Sequence, residues 1–110
     1  MKVYIILSVI LFAEVLSGTD LYVGYSSKSN NYATIQKAVN KAASINPTSE
    51  SAHITIHIAP GKYREQVIVQ TPYITFINDE TSKGTVTITC IIVYNINIIV
   101  QIQMAIKIHP

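Results

Sequence analysis

The stretch that most limits what this chain can become is Ile54 to Glu65, Ile-Thr-Ile-His-Ile-Ala-Pro-Gly-Lys-Tyr-Arg-Glu. Ile54, Ile56 and Ile58 alternate with Thr55 and His57, the period of a strand with one buried face. Pro60-Gly61 stops that strand. Proline offers no N–H to a ladder, and glycine takes up backbone angles that side chains forbid. Val67 and Val69 then resume the alternation. Strand, sharp corner, strand predicts a chain that coils rather than one that doubles back as a long hairpin.

The stretch before this one predicts a helix. Thr34 can cap its start, its hydroxyl accepting a first-turn N–H. Ile35, Ala38, Val39 and Ala42 form one apolar stripe, with Lys37, Asn40 and Lys41 mostly on the other side. Asn46-Pro47 ends it, because the residue before proline is pushed out of the helical region. Gly24 to Asn31, rich in Ser, Asn and Tyr, reads as a loop, as does Pro47 to Ser51. After Ile54–Ile58 come strands expected at about Glu65–Val69, Tyr73–Ile77 and Thr85–Cys90. In the last, Val86, Ile88 and Cys90 share a face, which predicts an inward, buried Cys90. A helix with a single apolar stripe can cover the bare end of a stack of short strands.

Composition narrows the class. The chain has 110 residues, enough for one domain, and 49% are hydrophobic against 13% charged, which argues against disorder through its middle. The net charge is +2 and the basic residues are scattered without a run, so no nucleic-acid partner is expected. No glycine-rich phosphate loop is present. Cys90 is the only cysteine, which excludes an internal disulfide and a cysteine-based metal site.

The N-terminus has the form of a secretory signal: Lys2, an apolar run from Val3 to Ala13 broken only by Ser8, then the small residues Ser17 and Gly18. The run is short for a membrane span. Residues 1–18 are therefore expected to be a signal peptide, leaving a secreted, extracellular chain with no membrane contact after cleavage. From Ile91 to Pro110 the character changes. Every even position from Ile92 to Ile108 is apolar, and no acidic residue follows Glu80. An unbroken strand of that length lies far outside the usual range and would be an aggregation template. Residues 91–110 thus read as an atypical Ile/Asn-rich tail.

Three stretches resemble the N-terminal part of the catalytic domain of pectinesterases. Tyr32-Ala-Thr-Ile-Gln-Lys-Ala-Val39 looks like the family's aromatic-x-Thr-Val/Ile-Gln-x-Ala-Val helix. Ile56 to Val67 looks like its Pro-Gly-x-Tyr-x-Glu corner. Ile74-Thr-Phe-Ile77, followed by Gly84 to Thr89, looks like its next strands. These motifs cover roughly Val23 to Thr89, and residues 19–90 are expected to be the N-terminal part of that catalytic domain. Asn78 stands where the family commonly turns on glycine, which predicts a left-handed backbone there. The resemblance implies an all-β, right-handed parallel β-helix of the pectin-lyase type, here its N-terminal capping helix and first coils only. It also implies hydrolysis of the methyl esters of pectin homogalacturonan to pectate and methanol, in cell-wall modification or pectin breakdown. In that family one aspartate attacks the ester and a second moves protons. Glutamines stabilise the oxyanion, an arginine positions the nucleophile, and no metal or organic cofactor is needed.

The family's glutamine, aspartate and arginine motifs are absent here. Asp20 and Asp79 are the only aspartates and match neither catalytic position, and Arg64, the sole arginine, sits in the Pro-Gly corner. No catalytic, cofactor-binding or metal-binding residue is therefore assigned, and the chain alone is expected to be inactive. Tyr63 and Glu65 read as corner supports, with sugar contact as the alternative. His53 and His57, four apart on one strand, are more than ~13 Å from each other and cannot share a metal. Two other readings of the whole stay open: a non-catalytic secreted β-helix piece that binds pectin or a cell-wall partner, and a gene-model remnant that never folds. The export signal yields the first prediction. Secreted material should begin close to Thr19 on N-terminal sequencing, and an intact Met1 on a cytosolic product would refute it.

Overall fold

The computed structural model describes residues 18–94, 100–102 and 106–108. The expected signal run lies outside these residues up to position 17. No helix among the described residues is long and apolar enough to cross a membrane.

The chain opens with β1 (Thr19–Val23) and a two-residue β2 (Asn31–Tyr32), then α1 (Ile35–Ile45). A 3-10 turn at Glu50–Ala52 leads into β3 (Ile54–Ile58), β4 (Gly61–Val69) and β5 (Ile74–Ile77). The described remainder forms β6 (Val86–Val93), β7 (Val100–Ile102) and β8 (Ile106–Ile108). These strands make two sheets. One has the order β2-β1-β3-β5-β7 and the other β4-β6-β8. Every pairing is parallel. From β3 onward, successive strands alternate between the sheets.

The alternation seen in the sequence is the alternation of burial. In β3, Ile54, Ile56 and Ile58 are buried while Thr55 and His57 face outward. They meet Leu21 and Val23 from β1, Val67 and Val69 from β4, Ile74 and Phe76 from β5, and Val86 and Ile88 from β6. At ~25 cal/mol per Å² of apolar surface, burying such side chains is the main stabilising contribution.

Helix α1 forms as its caps dictate. Thr34, extended at φ −131°, accepts the Lys37 amide through its hydroxyl. At the other end Asn46 adopts the left-handed conformation at φ 58°, and its N–H donates to Ala42 O. Asparagine is among the few side-chain-bearing residues that enter this region readily, and Pro47 forbids continuation. Ile35, Ala38, Val39 and Ala42 are buried in the same core as both sheets.

This architecture overturns the expected all-β, right-handed parallel β-helix. The described residues form two separate small parallel sheets, and α1 contributes four side chains to their common core, an α/β arrangement. The period of a sequence reports which face of a strand is buried. It does not report which strands become neighbours, nor whether a helix covers a core or belongs to it.

Three local expectations also change. The tail is not one long strand: its described parts place β7 beside β5 and β8 beside β6. Cys90 is not in the core. Tyr63 pairs with Ile88 but Gln66 pairs with Cys90, so β4 carries one extra residue there. Past this β-bulge Ile91, opposite Val67, takes the core-facing place. Asn78 does not supply a left-handed turn. It is buried, donates to Gly84 O at 2.9 Å and accepts the Glu80 amide at 2.9 Å, tying the 78–84 loop together.

Val39 is 3% exposed within this core. Val39→Asp should therefore lower unfolding free energy by about 3 kcal/mol or more, whereas Lys41→Asp on the exposed face should change it by less than about 1. Urea denaturation followed by circular dichroism measures both.

Candidate functional site

Two polar clusters stand out from the apolar frame. The first joins α1 to the corner between β3 and β4. The Glu65 carboxylate accepts from the amides of Ile35 and Gln36, each at 3.0 Å. These are first-turn N–H groups that have no partner inside the helix, and the positive end of the helix dipole favours an anion there. Gln36 returns the link. Its side-chain carbonyl accepts from Ile68 N at 2.7 Å and its amide donates to Ile68 O at 3.1 Å. Strand β4 is an edge of its sheet. The Gln36 amide thus stands where a neighbouring strand would and covers part of that edge.

Tyr63 completes the corner. Its hydroxyl donates to Ala59 O at 2.5 Å. Burial, and then the Glu65 carboxylate, push the phenol above its ordinary pKa. Gly24 lies against this hydroxyl with φ +83°, and a Cβ there would come within 2.9 Å of the Tyr63 oxygen. Glycine is required on both counts. Tyr63 and Glu65 are thereby committed to contacts within the fold.

The second cluster was not visible in the sequence. It gathers Asp20, His57 and Asp79 on the outward face of the five-stranded sheet. His57 Nε2 lies 2.8 Å from Asp20 Oδ1, and Nδ1 lies 2.5 Å from Asp79 Oδ2. Its ring stacks on Tyr22 with centroids 4.7 Å apart. Tyr22 is met edge-on by Tyr25, and the Lys28 ammonium sits 4.9 Å from its centre. Burial, followed by Glu80 and Asp79, raises the Tyr25 phenol. Parallel register makes the cluster: Tyr22 stands opposite His57, and His57 opposite Ile77, two residues before Asp79.

Chemically, this is a clamp. Each ring nitrogen of His57 is taken up by a carboxylate oxygen. Neither nitrogen is left to take a proton from a nucleophile, and both aspartates are engaged. Among the described residues no group of three or more His, Cys, Asp or Glu is placed to hold a metal ion. His53 lies apart from His57, its Nδ1 3.1 Å from Glu50 O. No family model, curated protein or solved structure matches this chain.

The Glu65 link can be tested directly. Glu65→Ala should destabilise the fold by about 1–2 kcal/mol, the range for losing a helix cap. Hydrogen exchange should lose protection first at the Ile35 and Gln36 amides, and unchanged exchange there would show that the carboxylate does not hold the helix.

Proposed function

We propose that this chain is the N-terminal part of a secreted pectinesterase-type enzyme, a carboxylic ester hydrolase acting on methyl-esterified homogalacturonan at the cell wall. One observation carries the reading. Two of the stretches that resemble the family interlock: Ile35 and Gln36 of the first are hydrogen-bonded to Glu65 of the second and to Ile68 just after it. These contacts support the reading because Ile35, Gln36 and Glu65, which lie in two stretches that resemble the family, are hydrogen-bonded to one another.

The reaction sets what is missing. Ester hydrolysis near neutral pH needs a positioned nucleophile and donors aimed at the developing oxyanion, and losing one donor can cost ~10²–10³ in rate. Asp20 and Asp79 face His57, and Arg64 stands in the corner strand, so none of the three forms a nucleophile and oxyanion site together. On this proposal the chemistry is that of the family's glutamine, aspartate and arginine motifs, which do not occur in these residues.

A monodisperse sample of the 110-residue chain should release no methanol from methyl-esterified pectin, with a complete pectinesterase as positive control. The transcript past the Cys90 codon should continue into the glutamine, aspartate and arginine motifs, and protein made from it should release methanol. Turnover by the short chain would overturn the missing-site argument. An extended protein that carries those motifs yet is inactive on pectin would overturn the proposed function.

A further inference from the structure

The charges of this chain are scattered in sequence and sorted in space. Lys62 on β4 stands opposite Thr87 on β6, and Thr87 stands opposite Lys107 on β8. Residues in register across a sheet project from the same face, so these three form a row across all three strands. The row covers two strand spacings, about 10 Å. Arg64, two residues beyond Lys62, and Thr89, two beyond Thr87, belong to the same face. Its reverse is the core, through Val67, Val86 and Ile88.

The β-bulge between Tyr63 and Gln66 opens this face. Bulges bend a strand and re-aim its side chains. An open recess of about 330 Å³ lies on this face, lined by Lys62, Tyr63, Arg64, Thr87 and Thr89. Among the described residues the acidic side chains are engaged or placed elsewhere. Asp20 and Asp79 hold His57, Glu80 pairs with Lys83, Glu65 caps α1, and Glu50 lies in the turn before β3. Among the described residues no carboxylate lies within 4.0 Å of the charged groups of Lys62, Arg64 or Lys107.

We propose that this face binds a carboxylate-bearing polysaccharide, with Lys62, Arg64 and Lys107 meeting its carboxylates and Thr87 and Thr89 its hydroxyls. The choice of a de-esterified galacturonate chain as the natural ligand rests on the pectin reading above. The face itself selects the chemistry. Threonine hydroxyls both donate and accept, which suits sugar hydroxyls, and a guanidinium matches a carboxylate through two parallel bonds. Cations about 10 Å apart can meet carboxylates on separate sugars of one chain, whereas duplex DNA carries one charge per ≈ 1.7 Å. The tyrosine lining the recess has its hydroxyl bound to Ala59 O and its ring against Gly61, so it offers no open platform for stacking a base.

The test is retention of the 110-residue chain on immobilised polygalacturonate, released by a salt gradient. The parent chain should be retained at low salt and should pass through a column of highly methyl-esterified pectin. Lys62→Glu with Lys107→Glu should abolish retention. Lys37→Glu with Lys41→Glu makes the same change in net charge on the exposed face of α1 and should leave retention in place. Arg64→Gln, a milder change, should advance elution to lower salt. Circular dichroism identifies any variant that fails to fold, and Lys62→Gln with Lys107→Gln then replaces it.

No retention of the parent would overturn the proposal. So would equal loss with both charge-reversed pairs, which would reduce the effect to bulk charge, or stronger retention on duplex DNA. Methanol release by the extended protein is read separately. Retention lost with the Lys62 and Lys107 pair, beside an esterase result that fails, would sink the enzyme reading and leave the binding face standing.

Discussion

The bond between the Glu65 carboxylate and the first amides of α1 governs how the two halves of this structure meet. A helix start presents unpaired N–H groups and a partial positive charge. Here the compensating anion comes from a strand about thirty positions away in the chain. Because α1 supplies Ile35, Ala38, Val39 and Ala42 to the core, the bond also sets the cover over β1, β3 and β4. Gln36 reinforces it by pairing with both backbone groups of Ile68, which turns an exposed edge into an occupied one. The corner that delivers Glu65 depends in turn on Tyr63 and on Gly24, whose missing side chain leaves space for the phenol oxygen.

Features that follow from short stretches were legible in the sequence. The isoleucine alternation located β3, and the Thr34 cap, apolar stripe and Asn46-Pro47 stop located α1. Strand β1 escaped notice because its alternation, Leu21 and Val23 between polar neighbours, is only five residues long and lies against the signal run. Strand β2 has two residues and no period to detect. The fold class is hidden for a different reason. Parallel strands linked by corners can enter one sheet or several, and no side chain announces which. Placing β3 and β4 in different sheets, with a helix in the shared core, is a decision of tertiary packing.

Cys90 and Asn78 show the same limit at single residues. Strict alternation makes Cys90 inward, but one extra residue in β4 shifts the phase, and Ile91 is the larger apolar group available to fill the core. Here Val67 and Val69 keep the parity of Tyr63, and the break in alternation falls in β6, between Ile88 and Ile91. Asn78 was read for the backbone angle its type tolerates. Its actual use is in its side chain, which satisfies two backbone groups of a loop that has few others.

Both polar faces depend on register, and register is what sequence inspection lacks. Asp20, His57 and Asp79 are separated by 37 and 22 positions, yet parallel pairing brings them to hydrogen-bond distance. Lys62 and Lys107 reach one row by the same mechanism through Thr87. Outward parity alone could have named Asp20 and His57 as exposed on their strands, but not as partners. The net charge of +2 conceals the result, since a sum carries no position. Four of the acids are engaged away from that row: two with His57, one with α1 and one with Lys83. The cations of the three-stranded sheet are left without counterparts on their own face. A weakly charged chain can therefore present a locally cationic surface, because the fold gathers its acids on other faces than the row of cations.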